Sequence, residues 1–260
     1  MILCDLIQEL EILAPADYAM SWDNSGLLVG HRDAQIRSIY ITLDASGEAV
    51  DQAVKEGCDL ILAHHPLIFS PLKSVTGDDF IGKRILKMAE NHMALYAMHT
   101  NYDTAVMGTI VADQIGQVVE GPLEPVTEED GRILGIGSVG TLKVPMTLAE
   151  LAKQIKNLFQ LPEVRLFGDP LRDISRIAIC PGSGKGMSDA ALDAGCDVLI
   201  TGDIDHHGGI DSVEKGLCVL DAGHHGLEHI FVEYMADWMA EHHPEIRIVK
   251  DSNHSPFSVI

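Results

Sequence analysis

The chain has 260 residues, enough for two ordinary domains. It carries 18 Lys plus Arg against 39 Asp plus Glu, a formal net charge of −21. Such a field repels phosphate backbones and anionic lipid, which argues against nucleic acid as the primary partner.

Apolar positions at Ile2, Leu3, Leu6, Ile7, Leu10 and Leu13 have helical spacing. Asp5, Glu9 and Glu11 lie where a signal peptide would be basic and then continuously apolar, so a cytoplasmic location is expected. Later apolar runs are strand-sized, short of the ~20 residues of a membrane span. SWDNSGLLVG reads as a turn-rich loop entering a short strand, SIYITLD as a strand, ASGEAVDQAVKEG as a helix closed by Gly57, and CDLILAHH as a buried strand stopped by Pro66. This βαβ order implies a parallel sheet. A helix, FIGKRILKMAENH, and a strand, ALYAMH, follow. GPLEPVTEEDGR is rich in proline and acid and reads as a domain boundary or surface crossover. Beyond it come a strand pair and the helix LAELAKQIKNLF. Cys4, Cys58, Cys180, Cys196 and Cys218 are odd in number and form no CxxC pair, which predicts reduced, mostly buried thiols.

RIAICPGSGKGMSDAALDAGCDVLITGD lies over SIYITLDASGEAVDQAVKEGCDLILAHH at a constant offset of 138 residues, without a gap. Ile39 falls on Ile177, Ile41 on Ile179, Asp51 on Asp189, and Gly57-Cys58-Asp59 on Gly195-Cys196-Asp197. Further on, with a changed offset, LYAMH pairs with VLDAGH, so that His99 falls on His224 and Asp103 on Glu228. The expectation is an α/β protein of two related lobes, an internal duplication with parallel-rich sheets and a metal site in the cleft between them. The first lobe is expected over 1–122 plus 224–260 and the second over 123–223.

His64 and His65 would point to opposite faces in mid-strand, but at a strand end broken by Pro66 both can serve one site. Ligands of parallel sheets gather at such carboxyl ends. HTNYD leaves the next strand with His99 and Asp103. If GHHGLEHIFVEYMADWM is helical, His224 and Glu228 share one face and His225 and His229 a neighbouring one, with Leu227, Ile230, Phe231, Tyr234 and Trp238 as the buried stripe. Imidazoles mixed with carboxylates and no thiolate suit zinc, iron, manganese or nickel, and spread over several segments they can hold two divalent ions. His31, His92, His242, His243 and His254 sit in polar or helix-terminal contexts and read as solvated. PGSGKGM departs from the GxxxxGK[ST] phosphate loop and reads as a tight strand-to-helix turn, or as an anion or substrate contact through Ser183, Gly184 and Lys185. In TGDIDHH, Asp203 lies over His65 of the repeat. Asp203 and His207 are read as groups supporting the metal site or contacting substrate, with a helix cap as the alternative for Asp203.

SWDNSGLLVG, LILAHHPLIF, HTNYD, GSGKGM, TGDIDHH and DAGHHGLE, in this order, resemble the family of dinuclear-metal-centre hexameric proteins called GTP cyclohydrolase 1 type 2 homologs. The resemblance spans almost the whole chain and implies two α/β lobes, a toroidal homohexamer and two metal ions. It implies His64, His65, Asp103, His224 and Glu228 as metal ligands, with His99 nearby. The family pattern TGD-x-x-x-His-Asp-Ala is departed from at Gly208 and Gly209, and the extra domain that some longer members carry between the lobes is missing. The family name implies opening of the guanine ring of GTP by metal-activated water. Alternatives are a metal-dependent hydrolase of another nucleotide or phosphoester, and a non-catalytic metal-binding or regulatory scaffold. For a hydrolase, His99 or His207 is the candidate proton donor, because imidazole titrates near neutrality.

Overall fold

The computed structural model describes residues 1–252 and 255–258. Its elements in chain order begin with α1 (Leu3–Leu13), β1 (Gly26–Val29), β2 (Ser38–Asp44), α2 (Gly47–Lys55) and β3 (Leu60–His65). α3 (Phe80–Glu90), β4 (Ala94–Ala97) and α4 (Thr100–Tyr102) follow, then a π-helical turn over Asp103–Met107 leading into α5 (Gly108–Ile115). Next are β5 (Gln117–Gly121), β6 (Glu124–Glu129), β7 (Arg132–Ile136), β8 (Ser138–Thr147), α6 (Leu148–Leu158) and β9 (Arg165–Phe167). The remainder is β10 (Asp173–Ser183), α7 (Ser188–Asp193), β11 (Val198–Gly202), α8 (His206–Glu214), β12 (Cys218–Asp221), α9 (His224–Glu228), α10 (Ile230–His242) and β13 (Arg247–Lys250).

The chain forms two compact units. Of the described residues, the first comprises 1–102 and 231–252 and the second 103–230 and 255–258. The five-stranded sheet of the first has the order β1-β4-β3-β2-β13, parallel except for β1 at its edge. Its inner strands β2, β3 and β4 are buried on both faces and read as near-continuous apolar runs, as parallel sheets require. α1 presents Leu3, Leu6, Ile7 and Leu10 as its buried stripe. Side-chain caps define the helix starts: Ser46 accepts from the Ala49 amide ahead of α2, and Asp79 from those of Ile81 and Gly82 ahead of α3.

The second unit carries a six-stranded sheet, β5-β8-β10-β11-β12-β9, with β10, β11 and β12 parallel. GPLEPVTEEDGR is neither boundary nor crossover: it builds a separate hairpin, β6 and β7. Its two-residue turn has positive φ at both Asp130 (50°) and Gly131 (75°), the Asp-Gly signature of a turn that matches strand twist. Thr147 and Glu150 form a reciprocal capping box at the start of α6. Residues 103–122, expected in the first lobe, belong to the second unit because α5 packs on β5 and β10; 224–230 belong there because α9 packs on β10 and β11.

The 138-residue offset reappears in atomic detail. Asp59 Oδ2 accepts from the amides of Arg37 and Ser38 at 2.8 and 3.0 Å, and Asp197 Oδ2 from those of Ser175 and Arg176, both at 2.9 Å. Cys58 donates its amide to Ala53 as Cys196 does to Ala191, and Gly57 and Gly195 turn the chain with φ of 65° and 70°. Each carboxylate thus ties the start of one parallel strand to the entry of the strand before it. Four of the five cysteines are buried, and none forms a disulfide. Among the described residues no helix is long and apolar enough to cross a membrane. Asp59→Ala or Asp197→Ala, each removing a twofold acceptor for backbone amides, should lower unfolding free energy by about 1–3 kcal/mol in urea titrations, and Asn at either position by less.

Candidate metal centre

In the first unit the carboxyl ends of β3 and β4 bring three imidazoles together. His64 and His65 ring centroids lie 4.9 Å apart, His64 and His99 5.4 Å, and His65 and His99 5.6 Å. Each ring is fixed at Nδ1 by an oxygen acceptor. His64 Nδ1 lies 2.7 Å from the Met98 carbonyl, His65 Nδ1 2.9 Å from Asp44 Oδ1, and His99 Nδ1 2.7 Å from Asp23 Oδ1. A carbonyl or a carboxylate can only accept, so Nδ1 carries the proton and the neutral ring holds its lone pair on Nε2. This is how metal-binding histidines are commonly oriented. Phe231 and Tyr102 pack against the buried His64 ring at 5.3 and 6.0 Å.

Two of these acceptors lie outside the sequence expectation. Asp44 ends β2 directly opposite His65 in the strand register, so the sheet itself delivers its carboxylate. Asp23, in SWDNSG, accepts from His99, from the hydroxyl and amide of Thr100, from Ser25 and from the Asn24 amide. Burial works to raise its pKa, but the hydrogen bonds it accepts from His99, Thr100 and Ser25 outweigh that and hold the carboxyl well below the usual carboxylate range.

The second unit has its own group. In α9, His224 Nε2 meets Glu228 Oε2 at 2.9 Å across one helical turn, and His224 Nδ1 meets Asp203 Oδ2 at 2.8 Å. Both nitrogens therefore face carboxylate oxygens, a constellation satisfied by an imidazolium or by a cation at Nε2. Asp203 supports the ring from a left-handed backbone conformation (φ 58°), a strained state typical of functional turns. Gly182 (φ 76°) borders the same pair: a Cβ there would clash with Glu228 Oε1, so the carboxylate occupies the space of the missing side chain. Burial first, and then the charges of Asp103 and Glu228, push the Cys180 thiol up to about 12. Asp103 opens the π-helical turn.

Other expected positions fall as follows. Asp205 caps α8 through the Gly208 amide, so Asp203 is a histidine partner and not a cap. His207 is exposed in the first turn of α8. Ser183 and Lys185 are exposed, whereas the Gly184 amide is engaged by the Gly202 carbonyl at 3.1 Å. GHHGLEHIFVEYMADWM breaks at His229 into α9 and α10. Its buried apolar residues are Leu227, Phe231, Val232, Met235, Ala236 and Met239, with Ile230, Tyr234 and Trp238 only partly covered. His31, His92 and His242 are exposed, as read. His243 is not solvated: it is buried, and its Nε2 pairs with Glu9 at 3.0 Å. His254 lies outside the described residues.

Because the folded Asp23 carboxyl titrates below its unfolded counterpart, its stabilisation is present above about pH 4 and fades as pH falls from there toward the folded value. Asp23→Asn should destabilise the metal-free protein by about 1–3 kcal/mol at pH 7. The gap to wild type should narrow below pH 4 in melts followed by circular dichroism.

The model of the Duf34/NIF3 (NGG1p interacting factor 3) family matches residues 1–256. A Streptococcus pneumoniae protein named GTP cyclohydrolase 1 type 2 homolog is 35% identical over 245 residues, 93% of this chain and 91% of that one. A Clostridium acetobutylicum protein of the same name is 33% identical, covering 86% and 84%. Among solved structures, the Staphylococcus aureus hypothetical protein SA1388 superimposes with a TM-score of 0.89 at 28% identity, covering 100% of this chain and 99% of that one. Reduced HcgD from Methanocaldococcus jannaschii does so with 0.84 at 28%, covering 96% and 97%. The chain belongs to the DUF34/NIF3 family.

Proposed function

We propose that this protein is a divalent-metal-dependent hydrolase in which His64, His65, His99, Asp103, His224 and Glu228 hold two ions. In this reading His64, His65 and Glu228, a group whose donor types suit a metal ion, hold one of them. The observation that carries the reading is the common orientation of four imidazoles. His64, His65, His99 and His224 each have Nδ1 held by an oxygen acceptor, and His224 in addition sets Nε2 against a carboxylate. The donor set, imidazole and carboxylate without thiolate, fits zinc, iron, manganese or nickel. Adding His99 to the ligands follows from its tautomer, which matches that of its two neighbours.

A bound pair of such ions supplies Lewis acidity and a water ionised near neutral pH. The chain's own residues do the rest. Met98, Asp44, Asp23 and Asp203 hold the rings in one orientation, so no reorganisation is needed when a substrate arrives. The exposed Lys185 and Ser183 receive an anionic part of the substrate, and a chain of charge −21 needs such a local cation to admit a nucleotide. With His99 among the ligands, His207 is the imidazole that gives a proton to the leaving nitrogen or oxygen. The names of the relatives support a nucleotide such as GTP as substrate, and the reading includes a hexameric assembly in the cytoplasm.

Elemental analysis should give two ions per chain, falling in His65→Ala and in Glu228→Ala. Turnover on GTP and a panel of nucleotides should drop by orders of magnitude in His64→Ala. His207→Ala should lose most of its turnover, about 10²–10⁴-fold, while keeping its metal. One ion or none after reconstitution would refute the metal centre. Full occupancy with no nucleotide turned over would leave a metal-binding scaffold in place of the hydrolase.

A further inference from the structure

Trp22 and Phe69 break the burial pattern of the first unit. Both are large rings, 55% and 56% exposed, and their centroids lie 5.8 Å apart at a tilt of 43°. Trp22 also meets the edge of the His99 ring at 6.1 Å. Neither stands on a loose loop. Asp23, next to Trp22, donates its amide to the Met20 carbonyl, and its carboxylate gathers Ser25, His99 and Thr100. The Met20 amide in turn donates to Thr100 Oγ1 at 2.9 Å. Asn24 Nδ2 donates to the Ile68 carbonyl, which ties the segment bearing Phe69 to the one bearing Trp22.

Two exposed aromatic rings held by backbone anchors and continuous with an imidazole cluster form a preorganised stacking surface. We infer that Trp22 and Phe69 are the platform on which a planar heteroaromatic ring of the substrate stacks beside His99. This rests on the metal-centre reading of His99 and adds to it the part of the substrate that is recognised. Stacking needs no positive charge, so it gives a protein of net charge −21 a grip on a polyanionic nucleotide through its neutral end. A second copy of the chain is the competing occupant. Two side chains, however, offer far less than the ~800 Å² per partner of a stable interface, whereas their continuity with His99 suits a small ring.

The test uses metal-loaded full-length protein in a Trp238→Phe background, so that Trp22 is the remaining tryptophan, with guanosine and inorganic tripolyphosphate as probes. Guanosine should quench the emission saturably, and tripolyphosphate should not. Phe69→Ala should weaken the apparent guanosine affinity roughly tenfold or more, with metal per chain and particle mass unchanged. Absence of guanosine quenching, equal quenching by tripolyphosphate, or an affinity within twofold of the parent in Phe69→Ala would each overturn the platform. So would a change in particle mass in that variant, which would mark the rings as a contact between copies. Failure of the metal reading alone has a different signature: no metal per chain, with guanosine quenching intact.

Discussion

The hydrogen bond at Nδ1 is the constraint on which the candidate centre depends. An imidazole has two nitrogens that exchange roles with its tautomer, and only an acceptor-only partner fixes which one carries the proton. Four different acceptors do this here: the Met98 carbonyl, Asp44, Asp23 and Asp203. Each comes from a different segment, so the fold as a whole sets the ring orientations. The register of β2 against β3 places Asp44 opposite His65, the SWDNSG loop folds around its own aspartate, and a strained turn after β11 supplies Asp203.

The internal repeat shows how one framework carries two different histidine–carboxylate clusters. The strand-tying contacts of Asp59 and Asp197 are the same in both copies, down to the repeat positions whose amides they grip. The positions at the strand ends have diverged. Asp44, which orients His65, corresponds to Gly182, where the side chain is given up to make room for Glu228. His65 itself corresponds to Asp203, which orients His224. Where the first copy has an imidazole the second thus has the carboxylate that holds one, while the backbone hydrogen bonds that build the βαβ unit were kept.

Much of this was legible in the sequence, because the signals were local. Periodicity and turn residues gave the strands, the parallel pairing and α1, and His64, His65, His99, His224 and Glu228 stood out by chemistry and spacing. Asp23 and Asp44 did not, because a supporting carboxylate is defined by what it reaches in three dimensions and sits in a segment that looks like any loop or strand end. The hairpin of β6 and β7 was hidden by the proline and acid around it, although Asp130-Gly131 is a turn signal in its own right. His243 was misjudged for a similar reason: two histidines before a proline look solvent-facing, yet the partner that accompanies its burial, Glu9, is more than 200 residues away in sequence. Along α10 the buried stripe is shifted from the expected one, because the break at His229 resets the helical phase.

The most direct test of the account is anomalous diffraction from crystals of the protein loaded with manganese or zinc. The account predicts ion peaks bonded to Nε2, never Nδ1, of His64, His65, His99 and His224, with Nδ1 still held by Met98, Asp44, Asp23 and Asp203. Ions bound through Nδ1, rings turned away from those acceptors, or no anomalous peak at these histidines would contradict it.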